Sequence, residues 1–493
     1  MLTPIETSGL PWLWEQARRE PDKFALRCED QTLSFGELAE KAETTAARLA
    51  ALGIRAGDRV ALLMDASVRA VELIHAAQCL GAILVPLNTR LTAPEIAALA
   101  EACEPHSIIY DAAHAGSLKE LRPRYARLVE SAAEFDSLET AELPAIGRIE
   151  THAVHTIVFT SGTTGTPKGA MLTNGNHFAS AIGSRSNLGV EPCDKWLALL
   201  PLHHVGGLSI ILRSAIDGVG VVLHRRFNPR VANRALRDEK ITLLSVVATM
   251  LARMLDDNGE QPYPSSLRCV LVGGGPVSGP LLERAARLGV PAAPTYGLTE
   301  TASQVATARP REAISGAESG ARPLPGTEIR IDHADAAGRG EVVVKGPTVM
   351  AGYFREPEGT RAVVRNGWLH TGDIGRFDAN GFLHIDGRRS DLIVTGGENV
   401  YPAEVEAVLT SHPLVAEAAV YAASDPDWGH RVAAAVVLRA GAHVGDSDLR
   451  SWCGPRLARF KIPKSIRFVD ALPRTASGKI KRGLLRNAKY LDR

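Results

Sequence analysis

Ten consecutive residues, Thr160-Ser161-Gly162-Thr163-Thr164-Gly165-Thr166-Pro167-Lys168-Gly169, gather hydroxyls, glycines and one lysine directly after the apolar run HTIVF. Glycines let backbone N–H groups converge on phosphate oxygens, hydroxyls add donors, and an ammonium adds charge. The GxxxxGK[ST] form of phosphate loop is absent, so this is a different cradle for the same chemistry. A flexible polar loop is the competing reading, but such loops rarely combine all these features. A second bare stretch, Gly273-Gly274-Gly275-Pro276, closes the run LRCVLV. Backbone without side chains lets a ligand come close, and a plain strand-to-helix turn would use the same residues.

The surrounding pattern alternates helix and strand. Ser34 and Glu37 form a capping box that opens an apolar-periodic stretch ending near Gly53. Residues 58–65 read as a buried strand, 67–80 as a helix and 82–88 as the next strand. Thr92 and Glu95 give a second capping box, followed by a short strand at 107–111. Such alternation predicts parallel or mixed sheets covered by helices. Residues 112–150 carry weak signals and read as a connection between two N-terminal subdomains. The α/β pattern resumes at HTIVFTSG and at 267–275. From about 320 to 388, the short runs EIRID, GEVVVKG and GFLHIDG, separated by Gly, Pro, Asp and Asn, predict a small β-rich subdomain. Beyond it the order reads helix 403–411, strand 415–422, strand 431–438, helix 447–459 and strand 465–469. The expected fold is therefore a large N-terminal domain of layered α/β subdomains plus a small β-rich one over 1–387. A hinge at 388–391 and a small mobile α+β domain over 392–493 complete it.

With 56 Lys+Arg against 55 Asp+Glu, the formal net charge is +1. That balance argues against a broad basic face for nucleic acid or an anionic membrane. Six scattered cysteines form no CxxC pair, which fits reduced thiols and argues against a structural zinc site. The N-terminus has no signal-peptide pattern and no stretch has the length and apolarity of a membrane span. The expected location is the cytoplasm.

The decamer resembles the phosphate loop of the adenylate-forming superfamily, which includes acyl-CoA synthetases, peptide-synthetase adenylation domains and luciferases. Thr295-Tyr296-Gly297-Leu298-Thr299-Glu300-Thr301 looks like that family's YGxTE motif. The resemblance implies that Tyr296 flanks adenine beside Gly274, Gly275 and Pro276, and that Thr299 meets the α-phosphate. It also implies that Glu300 helps hold Mg²⁺. A carboxylate beside a triphosphate is tolerable mainly with a divalent cation between them. Thr371-Gly372-Asp373 matches the family's TGD motif, whose Asp takes the ribose hydroxyls; Arg388 resembles the arginine that reaches the ribose or phosphate. Ser477-Gly478-Lys479-Ile480 resembles the segment carrying the adenylation lysine, although Lys481, Arg482 and Arg486 nearby also suit a basic solvated tail. Gly396 and Gly397 match the loop that borders the thiol channel. At the hinge, relatives often have Asp or Lys where this chain has Ser390. The resemblance thus implies an ATP-dependent, AMP-forming acid–thiol ligase using Mg²⁺ and coenzyme A. It allows a homodimer, though no residue pattern specifies one.

The acid is narrowed by the stretch Pro201-Leu202-His203-His204-Val205-Gly206-Gly207, which corresponds to the border of the family's acyl pocket. There His204 would gate the pocket and guide the thiol. No Asp occurs over 201–213, where amino-acid-activating relatives use one to hold the substrate ammonium, so the resemblance implies that an α-amino acid is a poor candidate. Arg213 ends an otherwise apolar run, where a guanidinium could bind a second carboxylate bidentately or could serve a structural carboxylate. Residues 296–307 and 387–406 most resemble the o-succinylbenzoate–CoA ligases of menaquinone synthesis. That resemblance makes Arg213 the candidate for the spare aryl carboxylate, with Ser303 and Gln304 lining the pocket. Benzoate, another aryl acid, a medium-chain fatty acid, or transfer to a carrier protein are the alternatives.

Overall fold

The computed structural model describes residues 9–118, 129–143, 147–160, 167–275, 277–310, 321–388, 391, 393–395, 398–400, 402–425, 429–457, 459–475 and 478–486. Its helices start where the caps are. Ser34 Oγ accepts from Glu37 N–H at 3.2 Å while Glu37 Oε2 accepts from Ser34 N–H at 2.8 Å, opening the helix Phe35–Ala51. Ser67 caps Val68–Leu80, and Thr92 donates to Glu95 at 2.8 Å to start Ala93–Cys103. Each satisfies backbone donors that the first turn leaves orphaned.

Two large sheets dominate the N-terminal part. The first has nine strands in the order Arg322–Pro323, Ser303–Thr307, Ala292–Leu298, Cys269–Gly273, Leu243–Val247, Lys195–Ala198, Gly220–Leu223, Phe24–Cys28 and Gln31–Ser34. The second has seven, ordered Gly352–Tyr353, Lys168–Thr173, Val154–Thr160, Ile83–Pro86, Arg59–Leu63, Ser107–Tyr110 and Val129–Ser131. The parallel centres of both read as nearly continuous Val, Leu and Ile because both faces are covered. The helix Val68–Leu80 shows why: Leu73 and Ile74 belong to one core with Leu26 of the first sheet and Leu84 of the second. The weak stretch after residue 111 is more than a connection. Its Val129–Ser131 pairs in parallel with Ser107–Tyr110 and extends the second sheet, but three residues are too few for a periodic signal.

The expected β-rich subdomain is a five-stranded sheet of Glu328–Asp332, Gly340–Lys345, Trp368–Phe377, Val364–Arg365 and Leu383–Arg388. Nearer the C-terminus, Val415–Asp425 runs antiparallel to Gly429–Leu438, and Ser465–Phe468 lies parallel to the latter. Val420, Val436, Leu409 and Leu449 form a core there with the helices Pro402–Thr410 and Asp446–Cys453. The expected helix over 447–459 is six residues too long. Gly454-Pro455 ends it after Cys453, since proline supplies no N–H to the preceding turn.

Internal contacts divide the chain into two units. One comprises Met1–Gly274, Arg284–Ile329 and Val344–Leu369; the other comprises Gly275–Glu283, Arg330–Val343 and His370–Arg493. All six cysteines are free. Among the described residues no helix is long and apolar enough to cross a membrane.

Candidate active site

In the larger unit, Thr160 ends the strand Val154–Thr160 and stands opposite Lys168 in an antiparallel pair. Its hydroxyl donates to the Lys168 carbonyl at 3.4 Å. The phosphate-loop candidates Ser161, Gly162, Thr163, Thr164 and Gly165 lie outside the described residues, as does Pro276. Gly274, with φ +76°, follows the C-terminal end of Cys269–Gly273 together with exposed Gly275. Parallel strands end there, the usual place for a ligand in an open α/β sheet.

Tyr296 lies on Ala292–Leu298, which turns through the short 3₁₀ element Thr299–Thr301 into Ser303–Thr307. This turn is unusually tight. A Cβ on Gly297 would sit 1.6 Å from the Ser303 carbonyl oxygen, so only glycine fits. Ala302 (φ +50°) and Ser303 (φ +98°) both hold left-handed backbone. Strain of this kind costs on the order of 1–3 kcal/mol per residue and clusters at functional sites. Glu300 is half-buried; its Oε1 accepts from the Tyr353 hydroxyl at 2.8 Å and its backbone carbonyl from Met350 N–H at 2.9 Å. The Lys168 ammonium stands 5.3 Å from the centre of the same Tyr353 ring.

His204 is the N-cap residue of the helix Val205–Asp217. Gly207 must be small, because a Cβ would meet the Pro201 carbonyl oxygen at 2.3 Å. The His203 and His204 rings are 4.5 Å apart. Burial, then the neighbouring His204 and Arg90, push His203 down to about 2, so it is neutral at physiological pH. Arg213 lies on the same helix and is buried, with Nη2 donating to Ser180 Oγ at 3.2 Å. Its Nε has no hydrogen-bond partner among the described residues. Burial lowers its pKa to about 10, opposed by Asp217; it stays charged. Ser303 is half-buried and Gln304 buried, with Thr307 Oγ1 donating to Gln304 Oε1 at 3.4 Å.

In the smaller unit, Asp373 and Arg388 are direct cross-strand partners, although fifteen positions separate them in sequence. Asp373 is buried, and its N–H donates to Thr371 Oγ1 at 3.0 Å. Lys479 is exposed beside a braced turn. Thr475 N–H donates to the Lys479 carbonyl at 2.7 Å, and Lys479 N–H donates to Thr475 Oγ1 at 3.0 Å. Arg474 bridges Gly478 O at 2.8 Å and Glu417 Oε2 at 2.7 Å, tying the turn to the strand Val415–Asp425. Arg482 holds both oxygens of Glu406, at 2.8 and 2.9 Å, and reaches Asp391 at 3.3 Å. Burial raises Glu406, and Arg482 opposes the rise. Ser390, Gly396 and Gly397 lie outside the described residues; Thr395 and Glu398, on either side of the glycines, are antiparallel partners.

A sequence profile described as "AMP-binding enzyme" matches residues 13–354, and one described as "AMP-binding enzyme C-terminal domain" matches residues 404–479. The chain belongs to the AMP-binding enzyme family. Among curated AMP-binding enzymes it is 45% identical to the 2-succinylbenzoate–CoA ligase of Geobacillus kaustophilus, over 96% of both chains. Its fold matches the o-succinylbenzoate CoA synthetase (MenE) of Bacillus subtilis, solved with the acyl-adenylate intermediate OSB-AMP. There the TM-score is 0.91 and the identity 39%, covering 97% of this chain and 98% of that one. The same Bacillus subtilis enzyme solved with ATP and magnesium ion gives a TM-score of 0.90 at 39% identity, over 97% and 99%.

Several residues of this AMP-binding enzyme escaped the sequence reading. Tyr353 contacts Glu300 from 53 positions away, and its AGYF setting has no local period or cap to mark it. Glu417, Glu406 and Asp391 likewise act through long-range pairs with Arg474 and Arg482. The donor set around Glu300 fits a magnesium ion carried by a nucleotide. Among the described residues no cluster of three or more metal-binding side chains exists. Mg²⁺ commonly takes one or two carboxylates and completes its shell with phosphates and water.

Proposed function

We propose that the chain is an ATP-dependent, AMP-forming acid–CoA ligase whose acid is o-succinylbenzoate. The observation that carries this reading is the end-to-end similarity to 2-succinylbenzoate–CoA ligases, at 45% identity over 96% of the chain. In the first half-reaction a carboxylate oxygen attacks the α-phosphorus of ATP, and pyrophosphate leaves. In the second, the sulfur of coenzyme A attacks the acyl carbon, and AMP leaves.

The residues divide that work. Thr160 through Gly165 and Lys168 cradle the phosphates; Tyr296, Gly274, Gly275 and Pro276 border adenine; Asp373 and Arg388 take the ribose. Thr299 contacts the α-phosphate, and Lys479 bridges carboxylate and α-phosphate while charge concentrates there. Glu300 holds Mg²⁺, which neutralises phosphate charge when bound. His204, Ser303 and Gln304 form the acyl end, and Gly396 and Gly397 the thiol channel. Domains at 1–387 and 392–493 rotate about 388–391, with Ser390 as pivot. The substrates are small molecules rather than nucleic acid, and the reading includes a cytoplasmic location, supported by six free cysteines.

Pyrophosphate release across o-succinylbenzoate, benzoate, octanoate and several amino acids, with and without coenzyme A, tests the reading. A dominant o-succinylbenzoate signal with its thioester supports it; a signal confined to benzoate or octanoate keeps the ligase and discards this acid. Silence with every acid discards o-succinylbenzoate and points to an acid outside the panel or to a carrier-protein acceptor.

Arg213 is the proposed partner of the second carboxylate, supported by its buried charge and unpartnered Nε. Arg213→Met keeps volume and removes charge. The KM for o-succinylbenzoate should rise on the order of ten-fold, as a lost charged hydrogen bond predicts, while that for benzoate stays unchanged. Equal changes for both acids would assign Arg213 to packing.

A further inference from the structure

The contact between Glu300 and Tyr353 reaches beyond the residues given roles above. Tyr353 is buried, and its ring is fixed from several sides. Its N–H donates to Thr360 Oγ1 at 2.8 Å. Gly352–Tyr353 pairs antiparallel with Met171 and Ala170 of the strand that begins at Lys168. Next to it, Phe354 N–H donates to the Gly169 carbonyl at 2.8 Å. Thus one aromatic residue is tied by backbone to the lysine strand and by its hydroxyl to Glu300. Its face carries the Lys168 ammonium at 5.3 Å from the ring centre.

Lys168 and Glu300 carry opposite charges on neighbouring elements, yet among the described residues no ion pair joins them. Left together, an ammonium and a carboxylate would neutralise each other, leaving neither charge for a ligand. The aromatic ring offers the cation a favourable face, while the phenol donates to the carboxylate. Positive charge over the ring also makes the phenol a better donor.

We propose that Tyr353 is a positioning residue that holds Lys168 and Glu300 apart and aimed, so that phosphate meets the ammonium and Mg²⁺ meets the carboxylate. This rests on the ligase reading for its substrate, Mg·ATP. It concerns binding of the first substrate and takes no part in transfer to the thiol.

The test uses the full chain carrying Tyr353→Phe, which keeps the ring and removes one hydroxyl, beside Tyr353→Leu, which removes the ring as well. Calorimetric titration with Mg·ATP and the magnesium dependence of pyrophosphate release are the two readouts. The Phe variant should need about ten-fold more Mg²⁺ for half-maximal rate, and bind Mg·ATP correspondingly more weakly, as expected for losing one charge-assisted hydrogen bond. The Leu variant should bind more weakly still, because the ring face beside the Lys168 ammonium is then lost as well. The KM for the acid and the rate of thiolation from preformed acyl-adenylate should match the unmodified chain in both. Unchanged Mg²⁺ half-saturation and Mg·ATP affinity in the Phe variant would overturn the proposal. Parallel losses in Mg·ATP binding, acid KM and thiolation would overturn it too, by showing a general structural defect. If the unmodified chain activates no acid at all, the ligase reading falls, while the Mg·ATP titration still decides the role of Tyr353.

Discussion

Lys479→Ala lowers the rate of acyl-adenylate formation by on the order of a hundred- to a thousand-fold, the scale of losing one pre-organised donor to developing charge. Thiolation of preformed acyl-adenylate proceeds at the unmodified rate. The substitution should be clean, because the turn around Lys479 is held by other groups. Thr475 engages its backbone, and Arg474 spans from Gly478 to Glu417. The side chain itself is exposed, so its removal leaves no cavity. Pyrophosphate exchange measures the first half-reaction, and single-turnover mixing of acyl-adenylate with coenzyme A measures the second. Equal losses in both would contradict a C-terminal domain that delivers Lys479 for one step and withdraws it for the other.

The second large effect concerns pH and arises from the interior of the N-terminal unit. His75, His155 and His177 are all buried there, and the rings of His155 and His177 meet edge-on at 5.6 Å. Burial, then the charge of His155, pushes His75 down to about 3. Burial likewise lowers His155 to about 4, and it lowers His177, with contributions from His155 and Arg213. Each folded value lies below the ordinary histidine pKa of about 6.5, so the unfolded chain binds more protons in acid. Stability is therefore complete above about pH 6.5 and falls with pH towards about 4, by up to about 1.4 kcal/mol per unit for each histidine. All three shifts have the same sign, so their contributions to the acid-side loss add in direction. Urea midpoints from pH 8 to 5 should drop steeply below pH 6.5, and His155→Phe should flatten the slope. A midpoint independent of pH over that range would show that these histidines take up protons in the folded state as readily as in the unfolded chain.

Local features account for what the sequence reveals of the fold. Capping pairs at Ser34–Glu37 and Thr92–Glu95 act within four residues, and both helices start as expected. Strands 58–65, 82–88 and 107–111 are recognisable because burial on both faces makes their apolar runs continuous. Where a distant partner decides, the pattern is silent. Val129–Ser131 is a strand because Ser107–Tyr110 offers an edge. Helix 447–459 overruns because its apolar period continues past Gly454-Pro455, where the backbone cannot follow. Among the candidate site residues, the strand pairing of Asp373 with Arg388 joins two motifs legible only separately. Tyr353 had no such label, since its meaning lies in a contact with Glu300.

The turn at Gly297 also limits how this chain could acquire new substrates. The Ser303 carbonyl fills the space of any Cβ at residue 297. Ser303 and Gln304 are proposed for the acyl end, and Glu300, three positions before Ser303, for the nucleotide end. One short piece of backbone thus serves both. A change that widened the pocket by moving Ser303 would shift Glu300 as well, so gains in acid range there would come with losses in ATP use. Evolutionary drift in specificity should instead accumulate on the helix Val205–Asp217, at positions other than Gly207 and the core residues Leu208, Ile210, Ile211, Leu212 and Ala215. A library randomised on the helix should yield altered acid preference with the demand for ATP intact, whereas one randomised at 297–304 should yield mostly inactive chains.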